Sequence, residues 1–383
     1  MPPWRDVRVL RVVAQVVILL AVGLGVAYLV NNLTTAMAER GFGFGFGFLD
    51  RRAGFEIGES PVPYSASDTY GQAFLVGLLN TLFISVVGIV LATVLGIVIG
   101  VARLSKNWLV SRAAAGYVEL IRNTPLLLQL FVIYFVVLLQ LPSVRDTIAL
   151  PGSVFLNQRG LFVPGPQMGS SFGLWMALLA VGAAAAIGGR IAARRLRASG
   201  RSGQRLELIG ILFLVALAVG GWLLPAQAPM SFDLPVRGRF NFSGGLALST
   251  AFTALLTGLV VYTAAFIAEV VRGGIQAVRR GQVEAAQALG LSDGDTLRLI
   301  VFPQALRVIV PPLTSQYLNL TKNSSLAIAV GYPDLFKLGT TMANQTGQPV
   351  PVIALVMGTY LAISLATSLL MNLYNRRVQV LER

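Results

Sequence analysis

Within the largely apolar stretch at about 303–331, Asn319, Thr321, Lys322, Asn323, Ser324 and Ser325 place a group of polar side chains. An ionisable side chain at membrane depth is costly to hold, so it marks a functional position by default, and the Lys322 ammonium suits a carboxylate. Asn319, Lys322, Asn323 and Ser324 are therefore candidate substrate-pathway residues, with hydrogen bonding between helices as an equal alternative. Covalent chemistry has little to work with. The 383 residues include no Cys and no His, which removes thiol nucleophiles, disulfides, the usual zinc ligands and the commonest general base. No cluster of acids gathers near one interface, so no catalytic residue, metal or cofactor is expected and a membrane-bound enzyme is disfavoured. There is no Gly-x-x-x-x-Gly-Lys-Ser/Thr run, so the chain is not expected to bind ATP by a P-loop.

A second candidate site is Glu284-Ala285-Ala286-Gln287-Ala288-Leu289-Gly290-Leu291, followed by Ile300, Phe302 and Pro303. Ala, Glu, Gln and Leu favour a helix, and Gly290 stands where it would stop and the chain turn. After Ser292, Asp293 offers an N-cap for a second short helix ending at Pro303, where the next apolar segment begins. This is a helix-turn-helix elbow between two long apolar segments, offered to water, and a partner is expected on it. An ordinary amphipathic loop helix is the alternative.

The elements that must carry these residues are membrane spans. With 55% hydrophobic and 12% charged residues and a mean hydropathy of +0.73, the chain is too apolar for an ordinary soluble domain. Eight spans are expected, at about 12–30, 72–102, 117–139, 172–189, 206–224, 244–271, 303–331 and 351–373. The first has no small-residue cleavage site after it and reads as an uncleaved helix. The second, roughly 46 Å as a helix, must tilt or protrude, and its Gly96 and Gly100 can seat another helix. Glu119 and Arg122 lie one helical turn apart at the entry to the third and can pair. Pro311-Pro312 must break or kink the start of the seventh. The run Gly41-Phe42-Gly43-Phe44-Gly45-Phe46-Gly47-Phe48 cannot hold a helix. It reads either as a segment at the membrane interface or as an inert flexible loop.

The net charge of +14 raises the question of nucleic acid, but its distribution points to topology. With a cytoplasmic N-terminus, 21 of the 30 Lys and Arg fall on the cytoplasmic side and 9 on the other, while the 16 acids divide 8 and 8. The sides then carry +13 and +1, so the elbow and both termini are expected in the cytoplasm. The arginines at 190–205 read as a solvated anchor, and nucleic acid is not expected as a partner.

The order Glu284-Ala285-Ala286, Gly290, Ile300, Phe302, Pro303 resembles the signature of the membrane subunits of ABC importers, with Phe302 where Leu is more usual. Three further stretches resemble the polar-amino-acid branch of these permeases: Tyr117 through Gln129, Ala268-Glu269-Val270-Val271-Arg272-Gly273-Gly274-Ile275, and Lys322-Asn323-Ser324-Ser325-Leu326. The added first helix, the Gly-Phe loop and an extra pair of spans look like the longer permeases for general L-amino acids, including glutamate, glutamine, aspartate and asparagine.

This resemblance implies an all-α, type I permease core formed by 71–140 and 244–376. The N-terminal helix and periplasmic loop are 1–70, the inserted loops and extra pair of spans 141–243, and the cytoplasmic tail 377–383. It implies that Glu284, Ala285, Ala286, Gly290 and Pro303 couple the chain to a cytoplasmic ATPase dimer. It implies a second permease subunit of different sequence, a periplasmic amino-acid-binding protein and a place in the bacterial inner membrane. An ion-gradient-driven secondary amino acid transporter is the alternative. It would need titratable groups along the pathway and would leave the elbow without a task.

Overall fold

The computed structural model describes residues 7–39, 45–199, 202–223, 228–238 and 241–378. Its helices are α1 (Val7–Glu39), α2 (Tyr70–Ala102), α3 (Trp108–Arg122), α4 (Leu126–Phe131), α5 (Phe172–Ala198) and α6 (Gln204–Leu223). They continue with α7 (Thr250–Gln276), α8 (Arg280–Ala288), α9 (Asp293–Thr296), α10 (Phe302–Asn323), α11 (Leu335–Thr346) and α12 (Pro349–Val378). Among the described residues, seven helical stretches are long and apolar enough to cross a membrane, or eight if the bent pair α3–α4 is one span. The chain is a polytopic, mostly helical membrane protein.

The third expected span, 117–139, is not one straight helix. α3 ends at Arg122, and the chain bends by 103° before the helix that continues over 126–138. Pro125 is the cause: its ring disfavours helical backbone at Thr124 and pre-sets the first turn of α4. Gln129 closes the break by donating from Nε2 to the carbonyls of Ile121 (2.9 Å) and Thr124 (3.1 Å).

Two compact units divide the chain. The first comprises 1–130 and 255–383. α2 is its spine, and Ala73, Gly77, Thr81, Ser85, Gly88, Ala92, Gly96 and Gly100 form a buried stripe of small residues along one face. Small side chains let backbones approach. A Cβ on Gly77 would sit 3.0 Å from the Leu335 Cα, one on Gly96 2.6 Å from the Ile267 Cβ, and one on Gly100 2.8 Å from the Ala268 carbonyl. α2 therefore seats α11 near its start and α7 near its end, the latter through the Gly96/Gly100 pair. Asn80 adds polar anchorage by donating to the carbonyls of Glu59 and Pro333, each at 2.9 Å.

Of the Gly-Phe run, Gly41 to Phe44 lie outside the described residues. The remainder is ordered at Phe48. Gly47–Asp50 is a 3-10 turn, and Phe48 is 1% exposed, packed with Tyr70, Ala73 and Leu335 in the core of this unit. Thr69 and Gln72 close a capping box at the start of α2.

A tight turn before α11 holds a buried acid. Asp334 caps α11 by accepting from the Lys337 N–H at 2.8 Å and accepts the Tyr360 hydroxyl at 3.1 Å. Burial pushes its carboxyl up to about 6, with the backbone hydrogen bonds from Lys337 and Phe336 working the other way. The folded state thus binds this proton more tightly than the unfolded chain, so stability is greatest below the ordinary carboxylate range and falls as pH rises through about 6. The contribution is on the order of 3 kcal/mol. Asp334→Asn keeps a cap acceptor and removes the titration. The apparent unfolding temperature in lipid is expected to drop between pH 4.5 and pH 7 for the parent chain by more than for the variant.

The second unit comprises 131–254. Here the inserted loops expected within 141–243 contain strands. β1 (Ile148–Leu150), β2 (Val154–Asn157), β3 (Gly160–Val163), β4 (Gly165–Met168), β5 (Met230–Asp233), β6 (Val236–Arg237), β7 (Phe242–Ser243) and β8 (Leu246–Ser249) build three small antiparallel sheets, the largest in the order β1-β2-β3-β8. β8 takes residues assigned to the sixth span, whose helix starts at Thr250. Phe242 stacks on Phe162 with centroids 4.5 Å apart. The mostly helical reading holds with this β-structure added to it. α5 and α6 pack as a hairpin, joined where Trp175 donates to the Ala218 carbonyl at 3.0 Å and by Arg190 and Arg197 on Glu207.

Candidate functional site

The elbow forms as a capped turn. α8 ends at Ala288, and Gly290 takes φ +81°, the left-handed conformation that L side chains avoid. The Gly290 N–H reaches the Gln287 carbonyl (2.9 Å) and the Leu291 N–H the Ala286 carbonyl (3.1 Å), the two bonds of a Schellman motif. The next helix is capped by Ser292 rather than Asp293: Ser292 Oγ accepts from the Asp295 N–H at 3.1 Å and donates to its carboxylate at 2.7 Å. Asp293 occupies the first turn and accepts from the Gln287 side chain at 3.3 Å, which ties the two arms together. Nor does the second arm end at Pro303. From α9 it passes through a π-turn (Leu297–Val301) directly into α10, with Pro303 at the junction of the two.

Glu284, Ala285, Gly290 and Pro303 lie on the surface, whereas Ala286 is buried beneath the turn. Leu289, at the tip, is 84% exposed, and Leu297, Leu299 and Phe302 are also exposed.

The polar residues of α10 are not brought to one place. Asn319 is exposed, Asn323 is half-buried, and Ser324 is fully buried and donates to the Thr321 carbonyl at 2.8 Å. Lys322 alone of the four lines a groove of about 610 Å³, with Ser325, Phe336, Asn344, Val356 and Tyr360. The α11 and α12 members of that groove carry no sequence signal, because apolar residues within a span look alike.

A smaller polar cleft of about 350 Å³ lies among α2, α3 and α7. Glu269 bridges Arg103 and Arg272, with a further contact of 3.4 Å to the Arg272 Nε. Glu119 and Arg122, expected to pair, do not. The Arg122 guanidinium carbon stands 5.1 Å over the Phe266 ring centroid instead. Among the described residues no group of His, Cys, Asp and Glu is placed to hold a metal.

A helical core of membrane-crossing segments with a surface elbow at the foot of one long span defines the membrane-spanning subunit of a transporter. Residues 88–380 match the family described as binding-protein-dependent transport system inner membrane component. The chain is 46% identical over 96% of its length to the putative amino-acid ABC transporter permease protein YhdX of Escherichia coli strain K12, covering 94% of that protein. It is 46% identical over 92% of its length to the general L-amino acid transport system permease protein AapQ of Rhizobium johnstonii, covering 87% of it. With the glutamate/glutamine/aspartate/asparagine transport system permease protein BztB of Rhodobacter capsulatus, identity is 43% over 99% of this chain and 96% of the relative. The chain therefore belongs to the binding-protein-dependent permease family, as the motifs implied, and not to the ion-gradient class. Permease subunits of ABC transporters are in general non-catalytic.

Proposed function

We propose that this chain is one of two permease subunits of an ATP-driven amino acid importer, taking glutamate, glutamine, aspartate, asparagine or other L-amino acids from a periplasmic binding protein. The reading is carried by its likeness, over more than nine-tenths of its length, to three amino-acid permeases. The core is 71–140 with 244–376, and 141–243 is an insertion. Both termini and the elbow lie in the cytoplasm, as the excess of Lys and Arg on that side supports. There Glu284, Ala285, Gly290 and Pro303, shaped by buried Ala286, dock on a cytoplasmic ATPase dimer. The second permease subunit is a different chain. Lys322, in the groove, meets the substrate carboxylate, and Asn319, Asn323 and Ser324 shape the end of α10 around it.

ATP binding closes the ATPase dimer and draws the two elbows together, so the spans rock outward to receive substrate, and hydrolysis resets them. The test is ATPase activity of the chain co-purified in lipid with its ATPase and second permease, with and without binding protein and a panel of amino acids. Stimulation is expected only when binding protein and an accepted amino acid are both present. Failure of the ATPase to co-purify would overturn the assignment.

A further inference from the structure

The polar cleft is not used by the coupling elbow or by the Lys322 groove. Its lining brings together Arg103, Val118, Glu119, Arg122, Asn123, Phe266 and Glu269. Glu269 is committed to Arg103 and Arg272. That leaves one carboxylate, Glu119, and one guanidinium, Arg122, whose side chains have no ion-pair or hydrogen-bond partner among the described residues. They stand three residues apart on α3, where pairing would be cheap, yet Arg122 is held over the Phe266 ring instead. Stacking occupies the face of the guanidinium and leaves its in-plane N–H fork available, the geometry that takes a carboxylate bidentately.

A lone anion would meet the carboxylates of Glu119 and Glu269, and a lone cation would meet two arginines. A ligand that carries both charges, on two groups joined through one carbon, offends neither. At about 350 Å³ the cleft falls within the range of small-ligand sites, and one wall is fixed by Val118, which is 2% exposed and packed on Ala265 and Ala268.

We propose that this cleft takes a free α-amino acid by its zwitterionic end, carboxylate on Arg122 and ammonium on Glu119, at the cytoplasmic side, so that accumulated product slows its own import. The proposal rests on the reading of the chain as an amino acid permease with the C-terminal end of α2 in the cytoplasm. The site is distinct from the Lys322 groove, with which it shares no residue.

The experiment uses the complete transporter, with both permease subunits and the ATPase, in nanodiscs. Equilibrium binding of radiolabelled L-glutamine and L-glutamate is measured without binding protein, and inhibition of ATPase activity is measured with it. Saturable binding is expected for at least one of the two, together with inhibition. N-acetylation or amidation of that ligand removes one pole and is expected to weaken binding at least about tenfold. Arg122→Gln, Arg122→Lys and Glu119→Gln are expected to do the same, the lysine because it loses the fork.

Unchanged binding of both blocked analogues to the unmutated transporter would overturn the proposal whatever the variants do. So would abolition by Lys322→Gln alone, or absence of saturable binding up to about 10 mM. If the loaded binding protein still stimulates the ATPase while direct binding is absent, the cleft site falls and the importer reading stands. If stimulation is absent as well, the importer reading falls with it.

Discussion

Gly290→Val is expected to lower coupled uptake at least tenfold while the spans still fold and insert. At φ +81° a side chain costs about 1–2 kcal/mol, and a β-branched one is the least tolerated. A Cβ there meets nothing within 4 Å, so the damage is confined to the backbone of the turn and does not reach the core. The turn can relax only by giving up the bonds from Gly290 and Leu291 to the carbonyls of Gln287 and Ala286. That re-aims α8, with Glu284 and the presented Leu289 on it, away from its partner. Asn accepts the left-handed conformation more readily, so Gly290→Asn is expected to retain an intermediate activity. The measurements are uptake into proteoliposomes and ATPase activity with and without loaded binding protein. Basal hydrolysis that no longer responds to the binding protein is the expected signature, and full coupling in the valine variant would refute the role of the elbow.

The elbow was legible because its signals are local: a run of helix formers, a glycine, and a Ser-Asp pair. The same locality explains the error in its detail. Ser292 and Asp293 both satisfy the capping rule, and only the direction of the Asp295 N–H decides between them. Pro303 suggested a stop and Pro311-Pro312 a break or kink, and the helix is unbroken through all three. Pro303 lies where the π-turn gives way to α10. At Pro311 and Pro312 the carbonyls of Arg307 and Val308 lose their helical partners, but Ile309, Val310 and Leu313 are buried, and their packing holds the helix against that loss.

The β-structure was missed for a different reason. Between two spans, Val154 to Val163 reads as part of a Pro- and Gly-rich loop. However, Val154-Phe155-Leu156-Asn157 and Gly160-Leu161-Phe162-Val163 are two strand-forming runs around a two-residue turn, and they pair Phe155 with Phe162. The cleft among α2, α3 and α7 was hidden more deeply. Glu119 with Arg122, and Glu269 with Arg272, have the same spacing, and nothing local says that the second pair forms and the first does not. The difference is tertiary: the Arg122 guanidinium stands over the Phe266 ring instead of on Glu119, and Glu269 also takes Arg103 from 166 residues away.

α2 shows where a hydrophobicity pattern fails in a membrane. The outer faces of this helix are apolar, and its buried side is marked by small residues, Gly and Ala together with the polar Thr81 and Ser85, and by Asn80. Gly96→Leu is accordingly expected to prevent stable assembly of the first unit. The new Cβ alone would stand 2.6 Å from both the Cβ and Cγ2 of Ile267 and 3.0 Å from the Ala264 carbonyl, before the rest of the side chain is placed. Neither contact is the end of a flexible chain, so α7 must move off α2. Overpacking of this kind costs roughly 1–3 kcal/mol for a few added methylenes and more when backbones must separate. α7 also carries Glu269 and Arg272, and its displacement would break the ion pair to Arg103 at the same time. Gly96→Ala is expected to lower the apparent unfolding temperature measurably. Gly358→Ala, in α12 where a Cβ meets nothing within 4 Å, is expected to leave it unchanged or raise it slightly, because alanine restricts the unfolded chain. Fluorescence-detected size exclusion after heating in detergent separates these outcomes. Equal stability of the leucine variant and the Gly358→Ala control would mean that α2 and α7 do not pack through Gly96.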